Sequence, residues 1–357
     1  MKIWHLISNR WNSAISEYAL SAAKAARVFS SESMVTCLAE SPIEERFRTA
    51  GFDVKSIEGF GPGRFGRLSN IAKQFSPDVI FTYGGPETTA AFFFKGKARL
   101  IRFYGYKIDV GNPLQATTRK LGNMRVDQVM APSNAVAAGV LDQVHCPVGV
   151  VPLGIDTSIF GFKDLPRSER PELLIFGRLD PVKGHREFMG LFKKMLALAE
   201  LHSTPRPKLK IVGLPANLSK THLLEDAKRV GLSSDDFDIQ CDRISNVSDL
   251  MSKVALGVIS SIGSEAICRV AEEFLLCGTP VVTTSVGSLP EVFTRPEFGA
   301  NFGDYQSDNA AQIVFDRLMS SHAESSTLRQ ERAILAKGEF SLEAMSQRLK
   351  PLVFAGL

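Results

Sequence analysis

The feature that most constrains the fold is an alternation, run through twice along the 357 residues, of short β-branched runs with longer stretches of helical periodicity. Residues 2–7, 34–38, 54–57, 79–82, 100–103, 129–131 and 148–151 read as strands, and residues 15–29, 68–75 and 134–143 as helices between them. Strands that alternate with helices build βαβ units, and those build a parallel sheet wound on both faces. Residues 156–171 break the rhythm with Gly161, Pro166, Pro171 and several charges, which reads as an interdomain linker. The alternation then resumes with strands at 173–176, 208–212, 238–240, 255–259 and 280–283 and helices at 186–201 and 270–277. From about Ser307 the pattern is helical only, and it closes in an amphipathic helix from Phe340 that Pro351 is expected to end. We therefore expect an α/β chain of two Rossmann-like domains, residues 1–165 and 166–338, followed by a closing helical segment, residues 339–357. A chain of this length exceeds what one ordinary core supports.

Composition narrows the class. Hydrophobic residues make up 44% and charged residues 22%, the balance of a folded globular protein rather than a disordered one. Residues 1–160 carry 18 Lys and Arg against 13 Asp and Glu, a net +5, whereas the remainder is close to neutral. A basic first half suits an anionic partner such as a phosphorylated lipid, a bilayer surface or an acidic glycan, or is simple scatter. A nucleic-acid partner is not expected. The five cysteines, Cys37, Cys146, Cys241, Cys268 and Cys277, form no CxxC pair and no metal-ligand spacing. They read as small buried residues of a reducing compartment. The start of the chain lacks a signal-peptide pattern, and no stretch reaches the roughly 18 apolar residues of a membrane span. The expected location is cytoplasmic, at most peripheral to a membrane.

The most informative segment runs from Ser260 to Glu291. A buried strand ends at Ser260 or Ser261, Ser264 is placed to cap the next helix, and Cys277-Gly278-Thr279-Pro280 stops that helix. Glu265 then falls on the connecting loop or first turn, and Glu273 lies further along the helix. A carboxylate accepts charge-assisted hydrogen bonds from hydroxyl groups, and the helix N-terminus between the two favours an anion such as phosphate. Two glutamates separated by seven residues, followed by Cys-Gly-Thr-Pro-Val-Val and Val-Gly-Ser-Leu-Pro-Glu, resemble the signature of the family 4 (group 1) retaining glycosyltransferases of the GT-B fold.

The resemblance implies two Rossmann-like domains facing a cleft, the first binding the acceptor and the second the nucleotide-sugar donor, with a last helix in residues 339–357 that crosses back to the first. It assigns Glu265 to hydroxyls of the donor sugar and Glu273 to the ribose. It places Ile267, Cys268, Arg269 and Val270 around the donor. The family commonly has Gly-Phe-Gly after the first glutamate; Ala266-Ile267-Cys268 here implies a narrower pocket, and Arg269 is either a cation near the phosphates or an exposed helix residue. Gly177-Arg178 and Lys183-Gly184 resemble the family's Gly-Arg-Leu…Lys-Gly element, whose cations bind the diphosphate and stabilise its charge as the glycosidic bond breaks. No metal is then required, and no cofactor beyond the nucleotide-sugar co-substrate. Lys210-Ile-Val-Gly213 matches the strand end of the nucleotide site, residues 150–156 match the element closing the first domain, and residues 239–244 are where the base would rest.

The first half departs from the family pattern. The loop after the first strand is Ser8-Asn9-Arg10-Trp11-Asn12-Ser13 where members often have two glycines, so its backbone approaches a ligand less closely. Asn9 and Arg10 are candidates to contact the acceptor, and the alternative is an ordinary βα loop. Tyr104 stands where the family commonly has a histidine near the reacting sugar, or else is a core aromatic. Gly61-Pro-Gly-Arg-Phe-Gly66 spells GxGxxG but follows a third strand and contains proline, so it reads as a mobile loop with Arg64 and Arg67 available to acceptor or membrane. The implied reaction is sugar transfer to a glycan or glycolipid in bacterial surface polysaccharide or lipopolysaccharide synthesis. The alternatives are a non-catalytic sugar-nucleotide-binding protein and a GT-B nucleotide-sugar epimerase.

Overall fold

The computed structural model describes residues 1–106, 122–263 and 265–355. The chain divides into two compact units, Met1–Gly154 with Phe340–Leu357, and Ile155–Glu339. In the first unit seven strands form one sheet: β1 (Lys2–Ile7), β2 (Glu32–Leu38), β3 (Asp53–Ile57), β4 (Val79–Thr82), β5 (Arg99–Phe103), β6 (Gln128–Ala131) and β7 (Val148–Val150). All pairings are parallel, in the order β3-β2-β1-β4-β5-β6-β7. The central strands are near-continuous apolar runs because helices cover both faces. Two polar groups inside them have partners: the Trp4 indole donates to Thr36 Oγ1 at 2.9 Å, and His5 Nδ1 meets the Tyr83 hydroxyl at 2.9 Å, whereas His5 Nε2 is buried without one. Burial lowers the His5 pKa to about 3, with Arg27 adding to the effect, so this ring is neutral in the fold.

The second unit holds a parallel sheet of β8 (Glu172–Phe176), β9 (Lys208–Val212), β10 (Phe237–Gln240), β11 (Leu256–Ile259), β12 (Val281–Thr284) and β13 (Gly299–Gly303), ordered β10-β9-β8-β11-β12-β13. Its core packs Phe188 and Phe192 of one covering helix and Val314 and Leu318 of another against Leu173, Leu209 and Val258 of the strands. In both sheets the order reverses beside the first strand of the unit, between β1 and β4 and between β8 and β11. Such switch points open a crevice at the carboxyl ends of the strands.

Several boundaries differ from the sequence reading. The first unit ends at Gly154, not 165, and residues 156–171 are not a bare linker. They pack onto the second unit, with the Gly161 carbonyl accepting from Ser248 Oγ at 3.2 Å and the Phe162 ring beneath the Arg329 guanidinium. The helix expected over 134–143 is a short helix, Asn134–Ala138, followed by a separate turn, Leu141–Gln143. The last helix, Leu342–Phe354, runs through Pro351 instead of ending there. Pro351 sits in its final turn; it cannot donate to the carbonyl four residues back, and only three residues of helix follow it. The GxGxxG segment is a 3-10 turn, Pro62–Arg64, leading into the helix Phe65–Phe75, and Arg64 and Arg67 both lie against Glu58.

Four arginines gather at the amino edge of the second sheet. Arg332, 4% exposed, forks onto Glu324 through Nη1–Oε2 at 2.9 Å and Nη2–Oε1 at 2.5 Å. It also donates to the carbonyls of Glu297 at 2.6 Å and Gly278 at 2.9 Å. Arg329 reaches the Ser252 carbonyl, Arg167 that of Ser321, and Arg317 that of Glu297. Ser252, Gly278 and Ser321 close the helices Val247–Lys253, Arg269–Leu276 and Ala310–His322. The guanidiniums of Arg167, Arg329 and Arg332 thus face the negative ends of three helix dipoles. Among the described residues no helix is long and apolar enough to cross a membrane.

Candidate functional site

The switch point of the second sheet gathers most of the residues singled out in that half. β8 runs out at Gly177-Arg178, and Asp180 caps the 3-10 turn Pro181–Lys183 by accepting the Val182 N–H at 3.1 Å. Asp180 also takes Asn217 Nδ2 at 2.8 Å and Arg178 Nη2 at 3.1 Å. The Val182 hydrogen bond, helped by Asn217 and the cations, holds its pKa below the usual carboxylate range. Gly184 follows at φ +67 and opens the helix His185–Leu201. His185, buried, donates from Nε2 to the Arg178 carbonyl at 3.3 Å, and burial lowers its pKa, so a neutral ring pins this turn.

Beside it, β11 ends in Ser260-Ser261, and the two exits are stitched together. Ser260 Oγ donates to the Lys183 carbonyl at 2.7 Å, and Ile262 N–H to the Val182 carbonyl at 2.9 Å. A Cβ on Gly184 would stand 2.0 Å from the Ser260 carbonyl oxygen, so only glycine permits this approach. The stitching brings the Lys183 ammonium onto the Glu265 carboxylate as an ion pair, and Ser261 Oγ donates to the same Oε1 at 2.5 Å. The Glu265 carbonyl is held in turn by Ser288 N–H at 2.8 Å and Ser288 Oγ at 3.0 Å. Gly213, at the exit of β9, lies against Gly177; a Cβ there would be 1.7 Å from the Gly177 carbonyl oxygen.

Glu265 is on the connecting loop, and the helix Arg269–Leu276 starts beyond it with Cys268 at the N-cap. The expected cap Ser264 lies outside the described residues. Glu273 is buried one turn along and takes Arg269 Nε at 2.6 Å. The structure therefore gives Arg269 a definite contact, a clamp on Glu273. Ile267 and Val270 are half-buried, whereas Cys268 is buried with Sγ 3.2 Å from Ser288 Oγ, and burial pushes its thiol up. Among the described residues no group of three His, Cys, Asp or Glu comes together as metal ligands.

In the first unit Asn9 is spent on its own loop: Nδ2 donates to Ser13 Oγ at 2.8 Å and Oδ1 accepts the Trp11 N–H at 2.9 Å. Arg10 is exposed. Tyr104 is 2% exposed, with Asn123 Nδ2 donating to its hydroxyl at 2.9 Å and Arg102 stacked 4.3 Å from its ring centre. Asp180, His185, Ser261 and Ser288 were not singled out from the sequence. The available signal was the hydroxyl-rich strand exits Ser260-Ser261 and Thr283-Thr284-Ser285.

Gly287, at φ +59, sets the Glu265 loop from the other side, since a Cβ there would stand 2.1 Å from the Glu265 carbonyl oxygen. Gly287→Ala is expected to destabilise the second unit by at least about 1–2 kcal/mol, the cost of left-handed backbone at a non-glycine residue. Urea denaturation checks it, and an unmoved midpoint would show that the turn repacks without cost.

Residues 158–332 match the family model described as glycosyl transferases group 1. A 197-residue stretch is 28% identical to the D-inositol 3-phosphate glycosyltransferase of Segniliparus rotundus, covering 51% of this chain and 42% of that protein. Over whole chains the fold is similar to Anabaena Alr3699/HepE in complex with UDP, at TM-score 0.79 and 17% identity, covering 99% of each chain. It is also similar to the lipopolysaccharide outer core galactosyltransferase WaaB, at TM-score 0.71 and 12% identity, covering 100% of each chain. With two parallel α/β units arranged in these strand orders and that match across the second of them, residues 158–332 belong to the group 1 glycosyltransferases, and the fold of the chain is GT-B.

Proposed function

We propose that the chain transfers a sugar from a nucleotide-sugar donor to a glycan or glycolipid acceptor with retention of anomeric configuration. The observation that carries this reading is the Lys183–Glu265 pair at the β8/β11 switch point. A cation and a carboxylate held side by side there suit a ligand with a diphosphate next to a sugar. On this reading Lys183 and Arg178 bind the diphosphate and stabilise the charge that grows on it as the leaving group departs, without a metal. Glu265 grips donor-sugar hydroxyls, and Glu273, oriented by Arg269, takes the ribose. Gly177, whose Cβ position is open space, leaves the backbone accessible to the nucleotide, and Gly213 makes room for the Gly177 carbonyl. HepE has been solved with UDP and with UDP-glucose, which supports a uridine donor as the first to try. The acceptor we propose is a bacterial surface polysaccharide or lipopolysaccharide core, in line with the fold shared with WaaB, and the basic first unit would bring the chain to the cytoplasmic face of a membrane.

One observation favours a non-catalytic sugar-nucleotide-binding protein instead: the first unit's Asn9 and Tyr104 are both occupied by intraprotein bonds. Thermal shift with UDP-, GDP-, ADP- and dTDP-sugars separates the readings. A donor at 100 times its Kd should stabilise the chain by about 2.7 kcal/mol. The same donor should leave the Arg178→Ala/Glu273→Ala double variant unmoved. No stabilisation by any donor would overturn the donor site, and binding without transfer to any acceptor or water would leave the non-catalytic reading.

A further inference from the structure

The first sheet has its own switch point, between β1 and β4, which pair from Ile3 against Val79 to Leu6 against Thr82. Ser8 leaves β1 there, and Gly84-Gly85 leave β4 into the helix Gly85–Phe94. Glu87, on the first turn of that helix, is only 1% exposed. Its Oε1 accepts the Ser8 N–H at 3.1 Å, while Oε2 is buried without a hydrogen-bond partner. Burial pushes the carboxyl up, opposed by the Ser8 hydroxyl and amide and by the charge of Arg102. Gly84 makes room for this arrangement. A Cβ there would lie 3.0 and 3.1 Å from the two carboxyl oxygens and 3.1 Å from Ser8 Oγ.

An apolar side chain would fill this position at lower cost, because burying a carboxyl disfavours its charged form. What an apolar side chain does not supply is an acceptor for the Ser8 N–H, the first amide of the loop that continues through Asn9, Arg10 and Trp11. Most of the rest of that loop closes on itself: Asn9 bonds Ser13 and Trp11, and Ser16 Oγ donates to the Trp11 carbonyl at 2.6 Å, while from outside Arg46 Nη1 donates to Asn12 Oδ1 at a long 3.4 Å. Its shape is therefore set largely internally, and its buried anchor on the sheet edge is the Ser8 amide, the Arg46 contact to Asn12 being long and exposed.

We propose that Glu87 is a positioning residue: by holding the Ser8 amide, it fixes how the loop of residues 8–13 stands on the carboxyl edge of the first sheet. That Asn9 and Arg10 then face an acceptor rests on the function proposed above; that Glu87 places the loop does not. The test is amide hydrogen exchange, read by mass spectrometry on the full chain. Glu87→Ala is expected to speed exchange across residues 8–13 by about tenfold, as a local opening made easier, with the strand 32–38 unchanged as internal reference. Glu87→Gln keeps an acceptor oxygen and should behave as wild type. Gly84→Ala should speed the same peptide by pushing the carboxyl away from Ser8, an independent check should Glu87→Ala fold poorly. Wild-type exchange at residues 8–13 in both Glu87→Ala and Gly84→Ala would overturn the proposal. So would equal acceleration in the 32–38 reference, or a Gln variant as fast as the Ala variant. UDP thermal shift, run in parallel, reports on the second unit. If UDP does not stabilise wild type while the loop result holds, the donor reading fails and the role of Glu87 stands.

Discussion

Lys183→Ala is expected to lower the rate of sugar transfer by about 10²–10³-fold, the scale seen when one preorganised donor to a developing negative charge is removed. The measurement is steady-state release of the nucleoside diphosphate, with the donor chosen by thermal shift. Because the charge on the leaving group is largest in the transition state, kcat and kcat/KM should fall together. Lys183 is also the ion-pair partner of Glu265, so the single substitution removes two things at once. Glu265→Gln and the double variant separate them: if Lys183 acts only by orienting Glu265, the double variant should be no slower than Glu265→Gln alone. A Lys183→Ala enzyme within threefold of wild type would remove Lys183 from the chemistry.

Arg332→Ala is expected to produce the largest loss of stability, about 3–5 kcal/mol, because it leaves a carboxylate without its buried partner. Glu324 loses both arms of the fork, and the carbonyls of Gly278 and Glu297 lose donors in the same change. Arg332→Leu with Glu324→Leu should cost much less, since no charge is then stranded. Urea denaturation is the measurement, and the transition of the second unit is the one expected to move, as two units need not unfold together. A loss below about 1 kcal/mol would mean that solvent reaches Glu324 and replaces the fork.

Strands of the two sheets were readable where burial on both faces demands continuous apolar runs, as in residues 173–176 and 255–259. The strand Gly299–Gly303 was not, because it lies at the sheet edge, pairs with β12 alone and contains two glycines and an asparagine. The helix through Pro351 was cut short in the sequence reading because a proline's cost depends on how near the helix end it falls, which spacing alone does not show. In the site, Glu265, Lys183, Gly177 and Gly213 each stood out by motif. That Lys183 meets Glu265 depends on β8 pairing with β11, and strand order is not written in either segment. Asp180, His185 and Ser288 had no motif of their own; they act by fixing turns, and any capping or pinning residue type would read the same. The arginine cluster is scattered over residues 167 to 332 and becomes a cluster only when three helix ends converge.

The first unit is assembled from two separate pieces of chain, Met1–Gly154 and Phe340–Leu357, and this sets the order of events at the ribosome. The helix Leu342–Phe354 is an integral part of it. The Leu352 carbonyl takes Arg99 Nε at 2.9 Å, Phe354 stands 5.8 Å from Phe29, and Met345 is so close to Gly154 that a Cβ there would come within 2.7 Å. The unit synthesised first therefore waits, with the seat of that helix uncovered, while the entire second unit is translated. At roughly 5–20 residues per second that delay is roughly 10–40 s. During it the surfaces around Gly149, Gly154 and Phe29 are an exposed apolar seat of the kind chaperones bind. The first unit thus closes only after the chain of the second has been made.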